Sequence, residues 1–502
     1  MLRGEGRGKP AFALFFAPVV FGGAVEWNSF IWPKNRPRKE HNLWAASRPA
    51  GGENIMARIC CILVAGLDAH VHARAKKPLD FAFSSTLRPV LPAVTCTMQA
   101  TLTTGATPAE HGIISNGLYT YGNSDLESLI DTGSFADFRR QVSFWEQSAD
   151  LLQKPRFWNG RGWKTAMLFW QQSIPGRRAQ DAADIVLTPK PEHGPDGKTI
   201  SACWSRPADL YGQMVAEFGS FPLHQYWGPM ASLPATAWII QSARAVWRKH
   251  SPDIQFVYIP HLDYNLQRLG PDHAAIASDW AAAAELLKPL IQDVRQDGGK
   301  VILAGDYGMN SVSHAAFPNR ALRAAGLLKT IPDAQGKLLI DYSASRAMAM
   351  VDHQVAHIYV RPEALSAAAQ VLRETDGVGM VLESPEQLSA AGLAGGRCGQ
   401  LVVLAKADAW LAHDWWIADA EKPAWQYSVD IHRKPGYDPR ELFFDPVRKC
   451  IAQDTSLVKG SHGLLPTGPE KLPVLLSDAE VPTDAPLPAT KIAEWITGLM
   501  AG

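Results

Sequence analysis

Two rhythms of apolar and polar positions run along this chain. Short unbroken apolar runs closed by Asp, Pro or Gly predict buried strands at Ile59–Leu67, Gly162–Gln172, Ile254–Pro260 and Lys300–Ala304, because a strand covered on both faces needs no polar alternation. Apolar residues at three- and four-residue spacing predict helices over Val142–Leu152, Ala235–Arg248 and Ala274–Asp297. This alternation suits a mostly parallel sheet with right-handed crossovers. Further on, a helix is expected at Arg320–Leu328, two strands within Leu338–Val360 and a helix at Pro362–Glu374. Pro385–Leu393 and Gly399–Ala405 extend the same piece, and Ile492–Met500 closes the chain as an amphipathic helix.

Ser173–Gly228, rich in Pro, Gly and charge, reads as an insertion over the site, where Lys190 or His193 would either reach a substrate or lie in a solvated loop. Trp410, Trp415 and Trp416 would form an aromatic wall or pack a core. The expected organisation is a leader, 1–55; the first part of a catalytic core, 56–330; an inserted α+β subdomain, 331–408; and a return to the core, 409–502.

Lys+Arg and Asp+Glu both number 49. Without a net field, neither a nucleic acid polymer nor an anionic membrane is indicated as partner, which leaves a small molecule. The six cysteines have no CxxC pair or framework spacing, so a reducing compartment is the simpler expectation.

In the leader, Arg3, Arg7 and Lys9 precede the apolar run Ala11–Val25, the outline of a signal peptide. Pro18 and the Gly22-Gly23 pair break that run, so stable membrane insertion is not expected. Met56 stands directly before the first strand and offers an alternative start. The chain would then be cytoplasmic, whereas a true signal would make it periplasmic or secreted.

Chemistry concentrates in Leu91–Tyr119, LPAVTCTMQATLTTGATPAEHGIISNGLY. A threonine hydroxyl is a weak nucleophile unless a metal or base activates it, so ligands are expected elsewhere. Asp68 ends the first strand, where α/β sheets gather ligands; Asp263 follows the strand IQFVYIP, Asp306 lies in GDYGM, and His462 in KGSHG.

Thr95, Thr104-Gly105, Pro108, His111-Gly112-Ile113 and Asn116, followed in order by Asp263, Asp306 and Gly460-Ser461-His462-Gly463, resemble the nucleotide pyrophosphatase/phosphodiesterase branch of the alkaline phosphatase superfamily. That resemblance implies an α/β/α sandwich with a mostly parallel central sheet. It also implies a phosphohydrolase in which Thr95 attacks phosphorus, Asn116 shares the developing charge and a threonyl-phosphate is hydrolysed. One or two divalent ions are implied, zinc by resemblance, with Asp68, Thr95 and Asp306 on one and Asp263 and His462 on the other.

Three positions depart from the family pattern: Ala69 follows Asp68 where it has glycine, and Gln267 and Tyr307 stand where it has histidines. Imidazole suits zinc, and its loss favours harder ions such as magnesium or manganese, which an amide oxygen such as that of Gln267 also binds. His261, His314, His353, His357 and His432 are candidates to compensate, and His353 is taken as a metal ligand. His261, two residues before Asp263, would share its face on an extended chain. A silent ligand-binding relative and a phosphotransferase or mutase are the alternative functions.

Overall fold

Six consecutive buried residues, Ile59–Val64, form the central strand of the molecule. The computed structural model describes residues 57–129, 141–176, 182–193, 199–431, 434–483 and 485–501; the leader lies outside them.

In chain order the main sheet contains β1 (Ile59–Val64), β2 (Phe83–Arg88), β3 (Thr165–Leu168), β4 (Ile185–Pro189), β5 (Cys203–Arg206), β6 (Ile254–Ile259), β7 (Lys300–Gly305), β8 (Val474–Ser477) and β9 (Leu487–Pro488). The nine strands lie in the order β9-β2-β8-β7-β1-β6-β3-β4-β5. The run β7-β1-β6-β3-β4 is parallel throughout, and β5 and β8 join antiparallel. β1 pairs along its whole length with both neighbours, Ile59 lying beside Ile254 and Lys300. Strands so enclosed must be apolar on both faces, hence ICCILV and IQFVYI.

The helices that matter for the site are α1 (Ala69–Arg74), α2 (Thr95–Thr104), α3 (Leu233–His250), α4 (His261–Leu269), α5 (Ala274–Gln296) and α6 (Ile492–Ala501). α3 and α5 pack together, while α6 packs on α2. α2, TCTMQATLTT, is made largely of weak helix formers, yet Thr95 to Thr103 are all buried. Packing rather than propensity holds it, and Gly105, at φ 70°, ends it in the left-handed conformation.

A smaller antiparallel sheet follows the spatial order Ala347–Asp352, Val355–Val360, Leu401–Ala405, Val378–Leu382. Its own core contains Met348, Met350, Ile358, Val403, Trp415 and Trp416. Trp410, Trp415 and Trp416 are 1%, 1% and 0% exposed, so they pack cores and form no wall toward a substrate.

Two expectations are corrected. Val142–Leu152 is not a helix: Val142–Phe144 pairs as a strand with Gly117–Tyr119, Trp145 turns left-handed at φ 63°, and Ala149–Leu151 is one 3-10 turn. The partner strand lies far back in the sequence, beyond the reach of local periodicity. Ser173–Gly228 is not simply an insertion either, since its apolar IVL run becomes β4 and CWSR becomes β5, both in the main sheet. All six cysteines are free, and no described helix is long and apolar enough to cross a membrane.

Candidate active site

Asp68, Asp263 and Asp306 all follow the carboxyl ends of adjacent parallel strands, β1, β6 and β7. This is the edge where the crossover helices leave the sheet and side chains from different strands can meet. Gly305 is required there: a Cβ at this position would lie 2.0 Å from the Leu67 carbonyl oxygen. That close approach lets Asp306 Oδ1 accept from the Gly66 amide at 2.9 Å and from Tyr307 N at 3.0 Å. Asp306 Oδ2 is buried and has no hydrogen-bond partner.

Asp68 caps α1, its Oδ1 accepting from Val71 N at 2.9 Å. α4 begins at once after β6, which overturns the expectation that His261 shares a face with Asp263. Two residues apart on a helix point in divergent directions, whereas positions four apart align. Gln267 is the aligned residue, and its amide Nε2 donates to Asp263 Oδ2. Gln267 Oε1 in turn accepts from the Tyr437 hydroxyl at 2.9 Å. Asp263 Oδ1 has no hydrogen-bond partner and lies 3.8 Å from His462 Nε2, itself without one. His462 Nδ1 donates to the Ala93 carbonyl at 2.8 Å, leaving the Nε2 lone pair toward Asp263.

Thr95 is the first residue of α2 and only 2% exposed. Its hydroxyl lies 3.2 Å from the Tyr258 hydroxyl. The Asn116 side chain accepts from Cys96 N at 2.9 Å, one residue into the same helix, and donates to Asp352 at 3.1 Å.

The aromatic residues form one stack through the site. Tyr437 lies on His353 at 3.6 Å between ring centroids, His353 on His462 at 3.8 Å, and His462 on Tyr307 at 3.5 Å and 4°. His353 therefore enters the site, but with its ring packed on that of His462 at a 37° tilt. Two imidazoles that share one ion splay apart instead. Among the described residues no three His, Cys, Asp or Glu side chains converge as a ready metal cage.

The electrostatics are those of buried carboxylates short of positive charge. Burial pushes Asp68 and Asp263 each up to about 6 and raises Asp306 well above the usual carboxylate range. Burial, and then His353, holds the His462 imidazole well below its ordinary value, so it is neutral. Burial and neighbouring carboxylates push the Tyr258 and Tyr307 phenols well above 10.

The remaining histidines stand elsewhere. His357 is committed to the Ile114 carbonyl at 3.0 Å and His314 sits beside Ser313. His432 and the His193 side chain lie outside the described residues. Lys190 is exposed just past the end of β4. Tyr258, Asp352 and Tyr437 were missed by sequence reading. Tyr258 sits inside an apolar strand run, and Asp352 and Tyr437 lie in segments with no motif.

The family model for type I phosphodiesterase / nucleotide pyrophosphatase matches residues 81–438. The chain belongs to that family. It is therefore a phosphohydrolase, of the class that cleaves phosphoric ester or anhydride bonds, within the alkaline phosphatase superfamily. No curated protein matches it. Among solved structures it is similar to murine ectonucleotide pyrophosphatase / phosphodiesterase 5, at 13% identity and a TM-score of 0.55, covering 88% of this chain and 95% of that one. An inactive variant of that murine protein in complex with AMP matches at 13% identity and 0.56, with 89% and 95% covered. Phosphonoacetate hydrolase from Sinorhizobium meliloti 1021, in complex with phosphonoformate, matches at 15% and 0.54, with 89% and 96% covered. These likenesses bear out the mostly parallel α/β/α fold.

Members of the family depend on divalent metals. The residues here fit such an ion by their chemistry. Asp263 Oδ1, Asp306 Oδ2 and His462 Nε2 are buried acceptors with no hydrogen-bond partner, a costly state that a cation would relieve. An amide at 267 and a phenol at 307 stand in the same neighbourhood, the amide presenting its NH2 to Asp263 and its oxygen to Tyr437.

Proposed function

We propose that this chain acts through Thr95 as nucleophile on a small phosphorylated or phosphonate substrate, with hydrolysis of a threonyl-phosphate as the second step. The observation that carries the reading is the position of the Thr95 hydroxyl, at the start of a buried ten-residue helix and 3.2 Å from the Tyr258 hydroxyl, a phenol that burial and then the Asp306 and Asp263 carboxylates push up. Asp68 and Asp306 would hold one divalent ion with Thr95, and Asp263 and His462 another, with Gln267 and His353 as the further candidates. When bound, such ions supply the positive charge that keeps the Thr95 oxygen deprotonated and draws charge from the phosphoryl group.

The chain's own groups do the rest. The N-terminus of α2 offers partial positive charge to the incoming anion. The Asn116 amide, with one N–H engaged by Asp352, has its second N–H for a phosphoryl oxygen. Burial of Thr95 excludes bulk water from the attacking oxygen. AMP in the murine structure and phosphonates in the bacterial one support a small-molecule substrate. The test is turnover of chromogenic phosphate mono- and diesters under magnesium, manganese or zinc, beside Thr95→Ala. Metal-dependent turnover that falls by about 10³-fold or more in the variant is expected. Metal-independent turnover, or full activity in Thr95→Ala, would remove the reading.

A further inference from the structure

The turn Asp352-His353-Gln354 joins two strands of the smaller sheet and touches three separate pieces of the site. Asp352, 1% exposed, accepts from Ser115 Oγ at 2.7 Å, Asn116 N at 2.8 Å and Asn116 Nδ2 at 3.1 Å, and lies 2.7 Å from His353 Nδ1. Gln354 N donates to the His462 carbonyl at 2.9 Å, while its Oε1 accepts from Asn310 at 2.8 Å. Between them His353 adopts φ 60°, a left-handed conformation that is strained for a residue with a side chain. Strain of this kind persists only where surrounding contacts over-determine it.

Asn116 is held from both ends. Its Oδ1 is taken by Cys96 N, which sets which way the amide faces, and Asp352 takes one hydrogen of Nδ2 and the backbone N–H. The same carboxylate sits against His353 Nδ1, so that Nδ1 carries the proton and Nε2 the lone pair. We propose that Asp352 is the positioning residue of this active site, fixing the Asn116 amide and the His353 ring together, so that the smaller sheet completes a site built by the larger one. The proposal rests on the reading that Asn116 meets the phosphoryl group.

Asp352→Asn keeps the shape but replaces one acceptor oxygen with an NH2 group, which faces donors it cannot accept from. With bis(p-nitrophenyl) phosphate as probe, kcat is expected to fall about 10- to 100-fold with KM little changed. Asn116→Ala should cost as much, and the double variant no more than Asn116→Ala alone, because both remove one unit. Losses that multiply, or wild-type kcat in Asp352→Asn, would overturn the proposal.

A crystal structure of Asp352→Ala, with its thermal midpoint recorded, reads the proposal without activity. Asn116 and His353 are expected in new rotamers. Both side chains in their present places would overturn it, even if the wild-type chain proved inert toward every ester and the hydrolytic reading itself had failed.

Discussion

Two buried polar clusters lie close together in this molecule and have opposite characters. Around Arg440, each carboxylate oxygen is matched. Arg440 binds Asp414 at 2.6 and 3.0 Å and Asp438 at 2.7 Å, Lys434 binds Asp438 at 3.0 Å and Glu441 at 2.8 Å, and Trp227 donates to Glu441 at 2.6 Å. At the strand ends, the carboxylates of Asp263 and Asp306 each keep an oxygen with no hydrogen-bond partner, and the His462 imidazole keeps its Nε2 without one. The first cluster is complete within the chain and anchors Tyr437, the neighbour of Asp438, against Gln267. The second is completed only by something from outside. A buried polar group is costly unless paired, so on the proposed reading the unpaired set serves function while the paired set serves architecture.

The comparison breaks most visibly by substitution at Arg440. Arg440→Met leaves Asp414 and Asp438 buried with fewer partners, and a loss of about 3–5 kcal/mol is expected in urea unfolding. Asp263→Asn in chelator-treated protein should behave in the opposite way, because it removes a buried charge whose desolvation outweighs the direct hydrogen bond it accepts from the Gln267 amide. Its unfolding midpoint is expected at or above that of the wild type at pH 7, and a loss like that of Arg440→Met would erase the distinction.

The two clusters also pull in opposite directions along pH. Asp263 is raised to about 6 from an unfolded value of about 3.9. Its contribution is therefore full below about pH 4 and is lost as pH rises through about 6, a swing of about 3 kcal/mol. Asp414 and Asp438 sit below the usual range; burial would raise them, but Arg440 outweighs it. Their contribution is present at neutral pH and is lost on acidification. Melting curves of metal-free wild type and Asp263→Asn should cross between pH 4 and 7, and parallel curves would contradict the assignment.

The smallest effect sharpens the comparison. Tyr307→His with Gln267→His returns two imidazoles to the unpaired cluster, and zinc affinity by calorimetry should rise about tenfold or more, with little change for magnesium. Equal affinity for zinc before and after would mean that neither position meets an ion.

Much of this was legible in the chain. The strands β1, β6 and β7 and the helices α3 and α5 follow directly from apolar periodicity. The order of Asp68, Thr95, Asn116, Asp263, Asp306 and His462 pointed to one edge of one sheet. Local pattern failed where pairing was distant, as at Val142–Phe144 with Gly117–Tyr119. It failed again where helix and strand place side chains differently: His261 was matched to Asp263 on an extended chain, but α4 gives that place to Gln267.

The sequence by itself determined the sheet, the family and the candidate nucleophile, because strand burial and motif order are properties of neighbouring residues. Only the tertiary structure decided what each polar atom meets. It set the four-ring stack from Tyr437 to Tyr307, singled out His353 from the other histidines, and brought Asp352 from a second sheet onto Asn116. Such contacts join residues as much as 369 positions apart, and their satisfaction depends on geometry that no local spacing encodes.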